Sequence, residues 1–293
     1  MDMEELAKQF KIPPGKQISL TRDHDPALRL ESLTKAAARS TLEEGIKLLA
    51  EYQDRLYAQN TYALLVILQA MDAAGKDGTI KHVMSGLNPQ GCQVCNFKAP
   101  SEEELDHDYL WRCSKALPER GTIGIFNRSY YEEVLVARVH PEVLERQQLP
   151  PETRDKSIWK RRFQEINNFE SYLVDNGIVV LKFFLNVSKD EQKKRFLERI
   201  DLPEKNWKFS ISDARDRAFW DDYIKAYEDC LSNTNTKWAP WHIIPADHKP
   251  FTRLAVAYFI YQKLKELDVR YPKITREQRQ QLLEAKHILE SEE

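Results

Sequence analysis

The stretch Tyr62-Ala-Leu-Leu-Val-Ile-Leu-Gln-Ala-Met-Asp-Ala-Ala-Gly-Lys-Asp-Gly-Thr79 decides the fold of this chain. Its first half, Ala63 to Leu68, is a short aliphatic run whose length is typical of a strand buried on both faces of a parallel sheet. Small residues then surround Lys76, and residues 79–84 look like the start of a helix. This order of strand, small-residue loop and helix directs backbone N–H groups and a helix N-terminus towards an anion.

The loop departs from the standard phosphate-loop pattern G-x-x-x-x-G-K-[ST] at two positions. Ala70 replaces the first Gly, and Asp77 replaces the hydroxyl residue that binds Mg²⁺. One alternative is an ordinary strand-to-helix turn with a solvated lysine. Asp72 and Asp77 argue against it, because acids beside a phosphate site make sense only where a cation is shared. We therefore expect Lys76 to supply a point charge to β- or γ-type phosphates.

The composition is that of a soluble globular protein. The 293 residues are 42% hydrophobic and 31% charged, which suits one large α/β domain or two small ones. The net charge of −2 disfavours a non-specific nucleic-acid binder, and no apolar run approaches the roughly 20 residues of a membrane span. The start Met-Asp-Met-Glu-Glu does not resemble a signal peptide, and four cysteines in such a chain indicate free thiols in the cytoplasm.

Cys92 and Cys95 have the C-x-x-C spacing of some zinc and redox sites. They fall within a predicted strand, where residues three apart point to opposite faces. There is no second such pair in the sequence. We therefore expect these thiols to have no joint chemical role.

The apolar runs predict five strands separated by helices, which is the pattern of an α/β fold with a parallel sheet. The predicted strands are residues 63–68, 92–97, 122–126, 178–185 and 241–245. Helix starts are indicated by the capping boxes Thr41-x-x-Glu44, Ser101-x-x-Glu104 and Ser188-x-x-Glu191, and by Thr153 before a long apolar stripe. We expect an N-terminal arm (1–40) lying over the surface, one domain (41–270) with a helical lid at about 188–212, and a C-terminal helix (271–293).

Polar residues follow the predicted strands where each strand ends. The ends of the first three strands offer Asp72 and Lys76, then Lys98, then Asn127 and Arg128. Ligands of open parallel sheets bind beyond the carboxyl ends of the strands, so these groups should converge on one crevice. The basic helix and loop after the fourth strand lie where a phosphate-clamping lid would reach over that crevice.

Five motifs in order resemble those of the polyphosphate kinase 2 family, over about residues 26–267. They are Asp72-Ala-Ala-Gly-Lys-Asp-Gly-Thr79, Asn88-Pro-Gln-Gly91, Phe97-Lys-Ala-Pro100, Phe126-Asn-Arg-Ser129 and Trp207-Lys-Phe-Ser210. The resemblance implies a P-loop kinase-like three-layer α/β/α sandwich with a five-stranded parallel sheet and a helical lid. It also implies reversible transfer of a phosphoryl group from inorganic polyphosphate to AMP or ADP, with Mg²⁺, for which Mn²⁺ can substitute.

The resemblance implies a role for each matching residue. Asp72 would bind Mg²⁺, Lys76 would hold the end of the polyphosphate, and Arg128 would bridge the phosphates at the transfer point. The expected polyphosphate-binding residues are Ala73, Ala74, Gly75, Lys76, Asp77, Gly78, Thr79, Lys81, Arg195, Arg199 and Lys208. The expected nucleotide-binding residues are Lys98, Arg112, Asn127, Arg128, Tyr131 and Glu132.

The second metal ligand is left open by the sequence. Many members of the family have Asp where this chain has Asn127, and a neutral amide binds Mg²⁺ more weakly than a carboxylate. Asp77 or water is the alternative to Asn127. Glu132 stands where members specific for diphosphates often carry Asn, which resembles the subgroup that accepts both AMP and ADP. Glu132 is also a candidate metal ligand.

Two other classes of protein stay open at this point. One is an ATP-dependent nucleoside or nucleotide kinase of the same fold, and the other is a non-catalytic protein that binds polyphosphate or nucleotides. A requirement for polyphosphate in making ATP from ADP separates the first from the family activity, and a turnover assay separates the second. The expected partners are polyphosphate, adenine nucleotides with guanine nucleotides as an alternative, and further copies of the chain in a dimer or tetramer, but neither nucleic acid nor membrane.

Overall fold

The computed structural model describes residues 3–30 and 33–292, which contain five strands and fourteen α-helices. The strands are β1 (Ala63–Gln69), β2 (Cys92–Asn96), β3 (Ile123–Asn127), β4 (Ile178–Asn186) and β5 (Trp241–Pro245). The helices of the first half are α1 (Met3–Phe10), α2 (Leu20–Asp23), α3 (Lys35–Gln59), α4 (Lys76–Val83), α5 (Glu102–Leu105), α6 (Trp111–Lys115), α7 (Glu132–Val139) and α8 (Pro141–Glu145). Those of the second half are α9 (Ile158–Asp175), α10 (Lys189–Asp201), α11 (Ile211–Asp216), α12 (Trp220–Asn233), α13 (Lys249–Glu266) and α14 (Arg276–Glu290).

The strands form one parallel sheet in the order β2-β3-β1-β4-β5. Helices cover both of its faces, as two neighbouring residues of β4 show. The ring of Phe183 lies against Phe259 of α13, whereas the ring of Phe184 lies against Tyr227 of α12. Successive residues of a strand point to opposite faces, so α13 and α12 lie on opposite sides of the sheet. The predicted three-layer fold with a five-stranded parallel sheet is confirmed.

The central strand β1 is buried at all seven positions. It pairs with β3 on one side and β4 on the other, and both faces are covered, which is why its sequence is aliphatic from Ala63 to Leu68. The loop after β1 therefore opens at the middle of the carboxyl edge of the sheet, where ligands of such sheets bind.

The N-terminal segment is part of the core, which corrects the expectation of an arm lying over the surface. Leu6, Phe10 and Ile12 are each at most 2% exposed. The amide of Ile12 donates to the carbonyl oxygen of Trp241 at 3.0 Å, next to an antiparallel bridge between Lys11 and His242. This segment thus covers the outer edge of β5, which would otherwise present unpaired backbone groups.

Two helix starts differ from the capping pattern. Thr41 lies inside α3, and the N-cap is Thr34, whose hydroxyl accepts from the amide of Ala37 at 3.1 Å. Ala36, Ala37 and Ala38 favour helix strongly, so the helix extends upstream of the predicted start and across the predicted boundary at residue 40. Thr153 lies in a 3₁₀ turn, and α9 begins five residues later.

The other two capping patterns mark true helix starts. Ser101 and Glu104 form a complete capping box, and Ser188 accepts from the amide of Glu191 at 3.1 Å. The segment after Ser101 contains two short helices, α5 and α6. The lid consists of α10, a 3₁₀ segment (Pro203–Lys208) and α11.

The cysteines are free thiols, as expected. Burial raises the pKa of the Cys92 thiol to about 11, which makes it unreactive at neutral pH. None of the described helices combines the length and the apolar character that crossing a bilayer requires.

We expect Phe10→Ala to lower the free energy of unfolding by about 3 kcal/mol or more, measured by urea denaturation. Phe10 is 2% exposed and packs edge-on against Phe251 at a ring separation of 6.0 Å, so truncation leaves a cavity. Phe219→Ala is the matched control, because Phe219 is 40% exposed and should lose less than half as much. Equal losses would mean that the N-terminal segment is not part of the cooperative core.

Candidate active site

The loop between β1 and α4 holds its lysine in a fixed position. Gly75 adopts φ 111° at the helix start, and Ala73 is also left-handed, with φ 60°. Lys76 is only 8% exposed, and its ammonium donates to the carbonyl oxygens of Ala70 at 2.8 Å and Met71 at 3.5 Å. Burial and the neighbouring guanidinium of Arg128 lower the pKa of Lys76. Because an ammonium has three N–H donors, one is left for an anion.

A carboxylate and a guanidinium face each other beside this loop. Arg128 donates to Asp72 at 2.8 Å between Nη2 and Oδ1. Arg128 has φ 64°, and its amide bonds to the carbonyl oxygen of Leu68 at 3.1 Å, so the turn after β3 is tied to the end of β1. Burial raises the pKa of Asp72, but the charges of Lys76 and Arg128 outweigh it and leave the pKa below its usual range. Asp72 is therefore ionised at neutral pH.

Glu132 is a second carboxylate at the same place. Its Oε2 lies 4.0 Å from Nη1 of Arg128. Gln69, in the amide orientation that satisfies both of its polar atoms, donates to Oε1 of Glu132 at 2.8 Å. Burial raises the pKa of Glu132, and the charges of Arg128 and Lys76 oppose this. Gln69 was not among the predicted site residues, although a polar residue at the end of an aliphatic strand is a recognisable signal.

These groups open into a crevice of about 290 Å³ under the lid. Its walls come from the β1–α4 loop, α7, α10, α11 and α12, and they include Ala70, Met71, Asp72, Arg128, Glu132, Val136, His140, Gln192, Asp213, Asp216, Arg217, Tyr223 and Tyr227. The carboxylates among them outnumber the guanidinium groups, which favours a site that also takes a cation. The residues from α11 onwards were not predicted, because only folding brings them to the loop.

Asn127 lies at the end of β3 and is 9% exposed. Its Nδ2 donates to Oδ1 of Asp77 at 2.8 Å and to Oδ1 of Asn96 at 2.7 Å. Its own Oδ1 is buried, and no donor in the described part of the chain reaches it. The structure thus brings Asn127 and Asp77 together, and leaves one amide oxygen available.

Arg195 does not face a ligand, which corrects its expected role in gripping polyphosphate. Its guanidinium is 3% exposed. The five N–H groups of an arginine all find acceptors in the protein, namely Glu191 Oε1 and the carbonyl oxygens of Ala73, Ala74, Ala246 and Asp247, at 2.6–3.1 Å. Arg195 therefore connects the lid to the β1–α4 loop and to the turn after β5.

The other two basic lid residues expected to bind polyphosphate are Arg199 and Lys208. Arg199 forms an ion pair with Asp213 at 3.7 Å, at the wall of the crevice. Lys208 is exposed, with its ammonium 4.9 Å from the centre of the Trp207 ring. Gln192, which the sequence did not single out, donates to the carbonyl oxygen of Asp72 at 2.9 Å. The lid thus contacts the loop directly in this structure.

The predicted nucleotide-binding residues are divided between two places. Arg128 and Glu132 line the crevice, whereas Arg112 lines a second cavity of about 390 Å³ on the other side of α7. Arg112 donates to the carbonyl oxygen of Lys98 at 2.8 Å. Tyr131 faces neither cavity, which corrects its expected role: it is fully buried, and its hydroxyl donates to Glu170 at 2.7 Å.

A buried charge network lies under the turn that carries Arg128. Lys182 and Glu170 are both 0% exposed and form an ion pair at 2.7 Å. Lys182 also donates to the hydroxyl of Tyr131 at 2.9 Å and the carbonyl oxygen of Thr234 at 2.7 Å, while Tyr130 donates to Glu170 at 2.9 Å. The network fixes the two tyrosines between Arg128 and Glu132. This network was not predicted, although a lysine within an apolar strand indicates a buried charge that needs a partner.

Comparison with known proteins places this geometry in one family. The profile of the family Polyphosphate kinase 2 matches residues 32–272. The chain is 48% identical over 291 residues to an ADP-polyphosphate phosphotransferase of Rhodopseudomonas palustris, covering 98% of this chain and 99% of that protein. It is 42% identical over 266 residues to an AMP/ADP-polyphosphate phosphotransferase of Meiothermus ruber, covering 90% and 95%.

A solved structure shows the same architecture. The crystal structure of polyphosphate kinase 2 from Arthrobacter aurescens superposes with a TM-score of 0.85 at 38% sequence identity. The superposition covers 97% of each chain, so the N-terminal segment and the lid belong to the shared fold.

We expect Lys182→Met to lower the free energy of unfolding by roughly 3–5 kcal/mol, because it leaves the charge of Glu170 buried without a partner. The double variant Lys182→Met with Glu170→Gln should recover most of this loss, since no charge is then buried and the amide still accepts from Tyr131. Urea denaturation of the wild type, both single variants and the double variant gives the coupling free energy. Additive losses would show that the two side chains do not stabilise each other.

Proposed function

Because the chain belongs to the polyphosphate kinase 2 family, we propose that it transfers phosphoryl groups reversibly between inorganic polyphosphate and the nucleotides AMP and ADP. The observation that carries this proposal is the pairing of Asp72 and Arg128 in one crevice, close enough to Lys76 for its charge to act on Asp72. Two relatives that match at 48% and 42% identity are named as polyphosphate phosphotransferases of ADP and of AMP/ADP. The reaction breaks one phosphoanhydride and makes another, so it is close to thermoneutral and its direction follows the substrate concentrations.

The roles of the residues follow from the charges that such a transfer requires. Phosphoryl transfer depends on alignment of the attacking and leaving oxygens and on neutralisation of charge, not on a covalent enzyme intermediate. Lys76 is buried under the loop with one N–H free for a phosphate oxygen of the donor. Arg128 is held by Asp72 and Glu132, so its planar guanidinium can bridge the donor and acceptor phosphates.

We include Mg²⁺ in the proposal, and Mn²⁺ can substitute for it. Within residues 3–30 and 33–292 there is no cluster of three or more acidic, histidine or cysteine ligands. That fits Mg²⁺, which is usually bound through one or two carboxylates, substrate phosphates and water. Asp72 would hold the ion, and Asp77 and the free oxygen of Asn127 are the further candidates at the end of β3. The ion would supply charge neutralisation on the phosphates.

The choice between AMP and ADP is assigned to Glu132. AMP is one phosphate shorter than ADP, so it leaves a gap beside the transferring group. Glu132 lines the crevice next to Arg128, and it is held by Gln69 and Arg128. A carboxylate can bind a cation or its water in this gap, and an amide does so more weakly.

We extend the proposal to assembly and location. In α14 no residue is buried, and Leu282, Leu283, Ile288 and Leu289 are each more than half exposed. An apolar stripe of this kind suits a second copy of the chain. The protein would act as a dimer or tetramer in the cytoplasm. Light scattering of the purified protein, compared with a variant that ends at residue 272, tests the assembly.

The activity is tested by incubating the protein with AMP, long polyphosphate and Mg²⁺, and resolving the products by chromatography. ADP and ATP should form only when polyphosphate is present. Product formed with ATP as the only effective donor would indicate a nucleoside or nucleotide kinase. Binding of polyphosphate without formation of ADP or ATP would indicate a non-catalytic polyphosphate-binding protein.

Lys76→Ala should lower kcat/KM at least about 100-fold, on the order of 3 kcal/mol of transition-state stabilisation. The reason is loss of the charge that positions the donor phosphate. Lys47→Ala, which removes an exposed lysine of α3, is the control and should change kcat/KM less than about twofold. A Lys76→Ala variant that is folded and keeps more than a tenth of the wild-type kcat/KM would refute this role.

Glu132→Asn should lower AMP phosphorylation at least about tenfold, equivalent to some 1.4 kcal/mol, and spare ADP phosphorylation. Steady-state rates with AMP and with ADP are measured in parallel. Glu142→Asn serves as the control, because Glu142 is an exposed acid on α8 and its loss should leave both rates unchanged. An unchanged ratio of AMP to ADP rates in Glu132→Asn would rule this assignment out.

A further inference from the structure

Gln69 is a buried polar residue at the carboxyl end of β1, beside the crevice. Its side chain and backbone are 0% exposed. The amide oxygen accepts from the backbone N–H and from the hydroxyl of Ser129, each at 3.1 Å. The amide nitrogen donates to Oε1 of Glu132 at 2.8 Å. Both polar ends of this side chain therefore bond to the segment that follows β3.

The backbone of that segment fixes which end of the amide faces Glu132. The N–H of Ser129 can only donate, so it requires the oxygen of Gln69 on its side. The hydroxyl of Ser129 accepts from the backbone N–H of Tyr131 at 3.2 Å, and its own proton then points to the same oxygen of Gln69. The NH₂ group of Gln69 is left for residue 132, so the side chain at that position must be an acceptor.

The bond from Gln69 determines where the carboxylate of Glu132 lies. The side chain of Glu132 is 15% exposed, and Gln69 is the one hydrogen-bond donor that reaches its carboxylate within residues 3–30 and 33–292. Oε2, the other oxygen, lies 4.0 Å from Nη1 of Arg128, which is too far for a hydrogen bond. Gln69 thus leaves Oε2 of Glu132 without a hydrogen bond in the crevice that this residue lines.

Without Gln69, the guanidinium of Arg128 is the partner that Glu132 would take. Nη2 of Arg128 already donates to Asp72 at 2.8 Å, whereas Nη1 has only the distant contact with Glu132. A carboxylate and a guanidinium favour closer, hydrogen-bonded pairing. If Glu132 closed on Nη1, both ends of the guanidinium would be bound to protein carboxylates. Glu132 and Arg128 would then both offer less to the acceptor.

We propose that Gln69 is a positioning residue for the choice of acceptor. By donating to Oε1 of Glu132, it holds the carboxylate apart from Arg128 and so determines how well the enzyme uses AMP relative to ADP. This inference rests on the proposed function, in which Glu132 serves the shorter acceptor. Gln69 itself touches neither nucleotide nor phosphate, and acts through Glu132.

Gln69→Met removes both polar atoms of the amide and keeps the length of the side chain. It should lower the ratio of kcat/KM for AMP to kcat/KM for ADP at least about tenfold, because a hydrogen bond to a charged group is lost. The two rates are measured on one preparation with long polyphosphate and Mg²⁺. Their ratio does not depend on the fraction of protein that is folded.

Gln69→Glu is a second variant for the case that Gln69→Met does not fold. Its carboxylate still accepts from the backbone N–H of Ser129, so this buried group keeps its partner. The second oxygen faces the carboxylate of Glu132, and two carboxylates in one place repel each other. Gln69→Glu should therefore lower the AMP-to-ADP ratio at least as much as Gln69→Met.

The double variant Gln69→Met with Glu132→Asn distinguishes positioning from a general structural role. If Gln69 acts through Glu132, Gln69→Met should lower the ratio less than about twofold further once Glu132 is gone. Two residues that act independently would lower the ratio by the product of their separate effects.

Gln93 provides the matched control, because it is an exposed glutamine on β2 of the same sheet. Gln93→Met and Gln93→Glu make the same chemical changes away from Glu132. Both should leave the AMP-to-ADP ratio within about twofold of the wild type.

The results separate this inference from the function on which it rests. A wild-type protein that makes no ADP or ATP from polyphosphate would overturn the proposed function. With an active wild type, an unchanged ratio in both Gln69 variants would overturn the positioning role alone. Equal losses with AMP and ADP would also overturn it, since Gln69 would then support the fold and not the choice of acceptor. A multiplicative double variant would show that Gln69 does not act through Glu132.

Discussion

The guanidinium group of Arg195 holds the β1–α4 loop against the rest of the molecule. Its five N–H groups bond to carbonyl oxygens of the loop and of the turn after β5, and to Glu191 on its own helix. The loop needs such support because Ala73 has a left-handed backbone, a conformation that costs energy for a residue with a side chain. Since the arginine belongs to the lid helix, the position of the lid and the shape of the phosphate loop are coupled. The lid helix, the β1–α4 loop and the turn after β5 are thus joined through one side chain.

Below the crevice, the buried acidic and basic side chains are paired. Within the crevice, acidic side chains outnumber basic ones. Under the Arg128 turn, the ion pair of Lys182 and Glu170 is completely buried, and every donor of Lys182 has an acceptor. Such a pair contributes little net stability, but removing one partner is costly, so it fixes Tyr130 and Tyr131 in one arrangement. Arg128 and Glu132 are displayed from this fixed turn. Within the crevice, carboxylates exceed guanidinium groups.

Much of the fold and part of the site could be read from local sequence. Short runs rich in apolar residues are encoded by neighbouring positions in the chain, so the bounds of β1 to β5 lie within one residue of the predicted ones. The order of strand, small-residue loop and lysine fixed Lys76, because such a loop is encoded by consecutive residues. The carboxyl ends of β1 and β3 adjoin in the sheet, and this placed Asp72, Asn127 and Arg128 together in advance. The capping patterns predicted helix starts less accurately. Thr41 has the capping-box pattern but lies inside α3, because the alanines upstream favour helix and move the start to Thr34.

The sequence by itself determined the strands, the phosphate loop and the family to which the chain belongs, since each of these depends on residues close together along the chain. Only the tertiary structure decided where long side chains point. Arg195 and Tyr131 were both predicted to bind ligands. The guanidinium of Arg195 instead donates to backbone carbonyl oxygens, and the hydroxyl of Tyr131 donates to the buried carboxylate of Glu170. Gln69 stands in no motif, yet it orients Glu132. The physical reason is that a buried polar group must find a partner, and that partner is set by packing between segments far apart in the chain.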